Sequence, residues 1–285
     1  MIIRFVLLIS SLLSMSLCGR AQTIFLMDRT LLPPLTANVQ EPRTGLRKEI
    51  GSSRLKIDIG STIDVVRFQM SPEQSLSLGI DFFVYALSTG NEGLRLQIDA
   101  ADGFFGGHVG YRSTGTSVDH FFRFRFLHLS AHFLDGHFDP FTGDWKGGRP
   151  PIAFTRDFAE LVGGINLSPG NAHLMLYAGF SYGVLVRPAT IDKVEYLFGG
   201  ELRWSEALGS LFAKPWNIYI ADHAAVIGIP ESVTSNTVEA GVKFGSWEGR
   251  GLRLYASFAV GLDVFHQYYD VYRQSWGFGF SYDIL

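Results

Sequence analysis

From residue 54 onward the chain repeats one pattern, short segments in which every second residue is apolar. In RLKIDIGSTIDV, Leu55, Ile57, Ile59, Ile63 and Val65 share one face, and Arg54, Lys56, Asp58, Thr62 and Asp64 share the other. SLSLGIDFFVYA places Leu76, Leu78, Ile80, Phe82 and Val84 together, and TVEAGVKF sets Val238, Ala240, Val242 and Phe244 against Glu239 and Lys243. The last segment, QSWGFGFSYDIL, alternates aromatic residues with glycine and serine. A period of two means strands with one apolar and one polar face. Hydrophobic residues make up 47% of the chain. Yet no apolar run after Cys18 approaches the roughly 18–20 residues of a membrane-spanning helix. The apolar residues are interleaved with polar ones, not massed.

Two architectures use such strands. A soluble sandwich or lipocalin-like barrel turns the apolar faces inward, and a membrane barrel turns them outward. A dozen strands whose polar faces carry both charge signs favour the second. The expected fold is therefore all-β, a transmembrane up-and-down antiparallel β-barrel of outer-membrane type. Turn signals at 88–93, 112–117, 168–171 and 247–251 alternate with longer stretches near 67–74, 134–151, 187–193, 227–235 and 264–272. They divide the chain into about twelve strands, with ten or fourteen as alternatives. The strands fall near 53–66, 75–87, 93–101, 107–113, 118–133, 152–167, 172–186, 194–204, 216–226, 236–247, 252–263 and 273–284. Both ends then lie in the periplasm, with the first strand running upward from it. The aromatic alternation of the final strand resembles the C-terminal signal read by the outer-membrane assembly machinery, which makes that machinery a partner during biogenesis.

The N-terminus, MIIRFVLLISSLLSMSLCGRAQ, has one basic residue, an apolar run and small residues at the cleavage positions, the pattern of a secretory signal peptide ending at Ala21. The expected organisation is a signal peptide over 1–21, a periplasmic lead segment over 22–51, and the barrel over 52–285. Cys18 invites a lipoprotein reading, but Leu17 before it is bulkier than that processing accepts. As Cys18 is the single cysteine, the mature chain has no disulfide to hold it. A net charge of −3 offers no basic field for nucleic acid. The expected partners are outer-membrane lipids.

On the barrel reading the inward charges nearly balance. Arg54, Lys56, Arg95, Arg123, Arg203, Lys243 and Arg253 stand against Asp58, Asp64, Asp81, Asp99, Glu195, Glu201, Glu239 and Asp263. Buried charges need partners, so a paired, partly filled interior is expected. A wide selective pore would show one dominant sign. A structural or interaction barrel is thus the first reading of function, and a narrow channel or transporter for small solutes is the second.

One stretch carries chemistry: RFRFLHLSAHFLDGHFD, Arg123 to Asp139. His128, Ser130 and His132 share a face near the outer rim. In a regular strand that face also carries Phe122, Phe124 and Phe126, which makes it the lipid side. Leu127, Leu129, Ala131 and Phe133 argue instead for a switch of parity after Phe126, through a bulge or at the rim. A metal held by His128 and His132 is geometrically poor, because residues four apart on a strand are separated by about 13 Å. His137, Asp135 and Asp139 in the loop add only loosely spaced ligands, so no metal or cofactor is expected. The His-x-Ser pair gives the third reading, a lipid hydrolase. Phospholipase A and lipid A deacylase classes use histidine and serine with an acidic or amide third member. The candidate catalytic set is His128 as base, Ser130 as nucleophile, and Asp135, Asp157 or Glu160 orienting the histidine.

The same run, R-x-R-x-x-H-x-S-x-H-x-x-D, resembles the signature R-x-x-H-x-S-S-H-L-G-D-E of a bacterial family of predicted outer-membrane proteins of unknown function. Arg125, His128, Ser130, His132 and Asp135 match it, while Ala131, Leu134 and Gly136 depart from it. LKIDIGSTIDVVRF, LQIDAADGFFGGHVGYR, IAFTRDFAEL and NIYIADHAAV are similar to further segments of that family. The resemblance implies an outer-membrane location and a single barrel, and it brings no activity with it.

Overall fold

A computed structural model describes residues 22–90, 96–229 and 231–284. The expected signal peptide lies outside them. Twelve strands close into one antiparallel barrel. They are β1 (Gly45–Glu49), β2 (Leu55–Gln69), β3 (Gln74–Gly90), β4 (Leu96–Ser113), β5 (Val118–Phe133), β6 (Phe154–Leu167), β7 (Ala172–Arg187), β8 (Val194–Trp204), β9 (Lys214–Ile229), β10 (Glu231–Gly245), β11 (Gly251–Leu262) and β12 (Tyr272–Asp283). Each strand pairs with its sequence neighbour. β1 shuts the ring by pairing with β12 on one side and β2 on the other. Where β1 stops short, a small strand at Gln22–Phe25 pairs with the lower end of β2.

Expectation and structure agree on twelve strands, but the strands are not the same twelve. The segments 93–101 and 107–113 are expected as two strands, but residues 96–113 form the single long β4, and 93–95, with Arg95, lie outside the described residues. The glycines of ADGFFGGH look like a turn. Gly106 instead answers a close approach inside the sheet, because a Cβ there would meet the Phe126 carbonyl oxygen at 2.0 Å. The missing strand is β1, which lies within the segment expected to be a periplasmic lead. It follows that β2 runs down toward the periplasm, not up. The stretch at 67–74 is then a short lower turn at 70–73.

The apolar faces point outward. On β5, Phe122, Phe124 and Phe126 are about half exposed, and Phe82, Tyr196, Trp276 and Phe278 on other strands are more so. An outward apolar and aromatic band on a closed barrel needs hydrocarbon around it. The chain is an integral β-barrel of the bacterial outer membrane. The turns at 70–73, 114–117, 168–171 and 246–250 mark its periplasmic end, and the loop at 134–153 marks its outer end.

Residues 31–43 lie inside the lumen as a plug. Leu35 packs in a buried cluster with Phe121, Val162, Tyr177 and Leu197. Charged pairs fasten the segment to the wall. Glu41 bonds Arg123 Nη1 at 3.0 Å, and Arg43 meets Glu239 at 2.9 Å. Arg125 bonds Glu160 through two nitrogens, at 2.8 and 2.7 Å. The outer half of the lumen is different. There Phe83, Tyr85, Leu127, Leu129, Phe154 and Phe158 form an apolar core beneath Phe265. Phe265 belongs to the 263–271 loop, which roofs the barrel.

Candidate functional site

The burial of β5 settles which way the run from Arg123 to Phe133 faces. Phe121, Arg123, Arg125, Leu127, Leu129 and Ala131 are buried in the lumen. Their even-numbered neighbours, His128, Ser130 and His132 included, face outward. Neither a bulge nor a switch of parity occurs, since β5 pairs with β4 and β6 in unbroken register. Leucine appears on the inner face because the outer half of the lumen is an apolar core. Histidine and serine appear on the outer face above Phe126, beside the exposed Phe105 of β4.

The register then assembles a row on the outer wall. His128 lies between Phe105 on β4 and Asp157 on β6, and Ser130 lies between Gly103 and Thr155. His128 Nδ1 is 2.5 Å from Asp157 Oδ1, and both side chains are about one-third exposed. The imidazole leans on the Phe105 ring, with centroids 4.7 Å apart. These two partners fix the ring's orientation. Because Asp157 holds Nδ1, Nε2 is left for other work. Ser130 makes no side-chain hydrogen bond among the described residues. Two positions along a strand separate it from His128 by about 6.7 Å between Cα atoms, within reach of the two side chains. Gly103 beside it leaves the flank open, because a Cβ there would find only Val84 Cγ2, at 4.0 Å. Across β6 in the same row, Thr155 pairs with Arg187 on β7. Arg187 is an exposed cation at the level of the serine.

The other expected members go elsewhere. Asp135 does not orient His128; it opens a short 3-10 turn in the loop, where its carboxylate accepts the Gly136 N–H at 2.9 Å. Glu160 points into the lumen and binds Arg125. His137 is buried under the loop, its Nδ1 2.6 Å from Asp99 Oδ1 and its ring stacked on Phe133 at 3.5 Å. It therefore cannot join His128 and His132. Among the described residues no three metal-ligating side chains come together. Asp157 was one of three acids open from the sequence, and only strand pairing selects it. Gly103, Phe105 and Arg187 were invisible before the register was known.

No family model matches the chain, and no curated protein matches it. Among solved structures it is similar to LpxR from Salmonella typhimurium, at 10% identity over 81% of this chain and 88% of that one, with a TM-score of 0.39. It is also similar to OmpT, an outer membrane protein of Vibrio cholerae, in its trimer form. There the identity is 10% over 93% of this chain and 99% of that one, with a TM-score of 0.36. These likenesses carry no residue role to this chain.

Proposed function

We propose that this barrel is an acyl hydrolase acting on lipids of the outer leaflet. The observation that carries the reading is the His128–Asp157 hydrogen bond on the lipid-facing wall, with Ser130 next on the same face. Polar side chains facing lipid are costly, so a paired imidazole and carboxylate placed there ask for a use. Depth supports the same reading. The pair lies above Phe122–Phe126 and below the end of β5, where lipid esters meet the headgroups.

In this mechanism Ser130 Oγ attacks the ester carbonyl carbon while His128 Nε2 takes its proton. Asp157 keeps the Nδ1–H tautomer and stabilises the imidazolium that forms. The tetrahedral intermediate expels the alcohol, which receives the proton from His128, leaving an acyl-Ser130 ester. Water, deprotonated by the same histidine, then releases the fatty acid. The open flank at Gly103 gives the ester room to approach, and Arg187 offers a cation to an anionic headgroup.

The test uses purified barrel in mixed micelles with phospholipid or lipopolysaccharide. Wild type should release fatty acid and Ser130→Ala should not. Equal release from the two would end the hydrolase reading.

A further inference from the structure

Between the plug and the roof lies a cavity of about 170 Å³. One water needs about 10–15 Å³ of such space, so the cavity takes on the order of ten waters or one small organic molecule. Most charges on its wall cancel in pairs. Arg43 meets Glu239, Arg156 meets Glu195, and Lys56 meets Asp58. Arg54 and Arg273 share Glu49 and Asp263. Glu41 and Glu160 are held by Arg123 and Arg125.

Arg47 is the exception. Among the described residues it is the lining arginine or lysine with no carboxylate at salt-bridge distance. Its Nε donates to Ser257 Oγ at 2.7 Å, and its Nη2 reaches Ser275 Oγ at 3.2 Å and the Ser275 carbonyl at 3.4 Å. Nη1 makes no hydrogen bond within the described protein. Two neutral hydroxyls thus hold the guanidinium in place without neutralising it. β1, which carries Arg47, lies across the twelve-strand ring from β6, β7 and β8. The cavity wall on that side includes Phe154, Ile191, Leu197 and Ile227, and Phe265 and Tyr269 line it from the roof. Arg47 thus presents an uncompensated cation to the cavity, and the facing side offers an apolar patch among charges that are already paired, Arg156 with Glu195 and Glu160 with Arg125.

We infer that the lumen cavity is a binding site for a small amphiphilic monoanion, a carboxylic acid with a short apolar body. The carboxylate takes the free edge of Arg47 in a charge-assisted pair, and the body lies against Phe154, Leu197 and Ile227. A single negative charge completes the neutralisation of the wall, whereas a dianion overshoots it. Away from bulk water, that pair is stronger than it is at a surface. Access runs through the roof, which is latched by His266 donating its backbone N–H and Nδ1 to Asp102 Oδ2 at 2.9 and 2.8 Å. This inference stands apart from the hydrolase reading, because it concerns the inner face of the wall.

The experiment is calorimetric titration of the full folded barrel, in non-ionic micelles, with hexanoate, hexylamine and 1-hexanol. Hexanoate should bind saturably, one per chain, with hexylamine and hexanol giving no more than the heat of empty micelles. Arg47→Gln should weaken hexanoate at least about tenfold, the worth of one charged hydrogen-bonded pair. Ile227→Trp, which fills the apolar side, should weaken it as well. Each variant is first shown to be folded by the mobility difference between heated and unheated samples. Equal binding of hexanoate and hexylamine, unsaturable binding, or unchanged affinity in folded Arg47→Gln would overturn the site. If Arg47→Gln fails to fold, unchanged affinity in Ile227→Trp overturns it instead.

Discussion

His128 and Arg125 sit three residues apart on one strand and live in opposite environments. His128 faces the membrane with Asp157 at its Nδ1. In the proposed hydrolase that carboxylate sets the tautomer. Asp157→Asn should therefore leave the barrel folded and cut turnover by about 10³–10⁴-fold. Wild-type rates in folded Asp157→Asn would show that Asp157 does not orient a catalytic base. Arg125 faces the lumen and its side chain is only 1% exposed, held between Glu160 and Glu41. Removing it leaves two buried carboxylates to share the single cation of Arg123. Arg125→Ala should cost about 3–5 kcal/mol of folding stability, read from the urea midpoint in a bilayer-supported unfolding experiment.

At the scale of elements, the roof is held down by its own polar latch. The Tyr268 hydroxyl donates to Asp99 Oδ2 at 2.6 Å, in the same cluster as buried His137. Burial, and then the Asp99 carboxylate beside the hydroxyl, push the Tyr268 phenol well above its ordinary value. The folded-state value is the raised one. The latch's contribution is thus complete below about pH 10, the unperturbed tyrosine value, and fades as pH climbs through the folded value. Limited proteolysis with an alkaline protease should leave loop 263–271 uncut below about pH 10 and cut it increasingly above. In Tyr268→Phe cleavage should lose that dependence. Cutting that is pH-independent in wild type would remove the latch. Gln267 adds a second fastening. Its side-chain amide donates to the Ala131 carbonyl at 2.7 Å and to the Ile152 carbonyl at 2.9 Å, which ties the roof to β5 and to the long loop.

The whole molecule is a barrel filled from both ends. Residues 31–43 occupy the periplasmic half, and the apolar core with its roof occupies the outer half. The intact chain should show no single-channel conductance in a planar bilayer. A chain lacking both 28–43 and the 263–271 roof should show discrete steps. Conductance by the intact chain would mean that the plug leaves a path around itself. Ion pairs join the wall to the plug, with Glu41 on Arg123 and Arg43 on the buried Glu239.

Local pattern was enough for the class of fold. Alternation is a property of neighbouring residues, and outward apolar faces on a closed sheet leave one environment, a membrane. The strand count agreed because two misreadings offset each other: a glycine-rich passage in β4 imitated a turn, and β1 hid in a segment with no period. Near-balanced inward charges also announced a paired interior. Pairing across strands was not legible, because register is set by contacts between residues far apart in the chain. That is why Asp157, and not Asp135 or Glu160, meets His128, and why Gly103 lies beside Ser130. The leucines of β5 misled for a similar reason. An apolar residue reports burial without saying in what, and lipid on one side and a roofed core on the other attract it equally. Alternation thus made this chain a membrane barrel. Only closure of the ring turned His128 and Ser130 toward the lipid and drew the lead segment into the lumen.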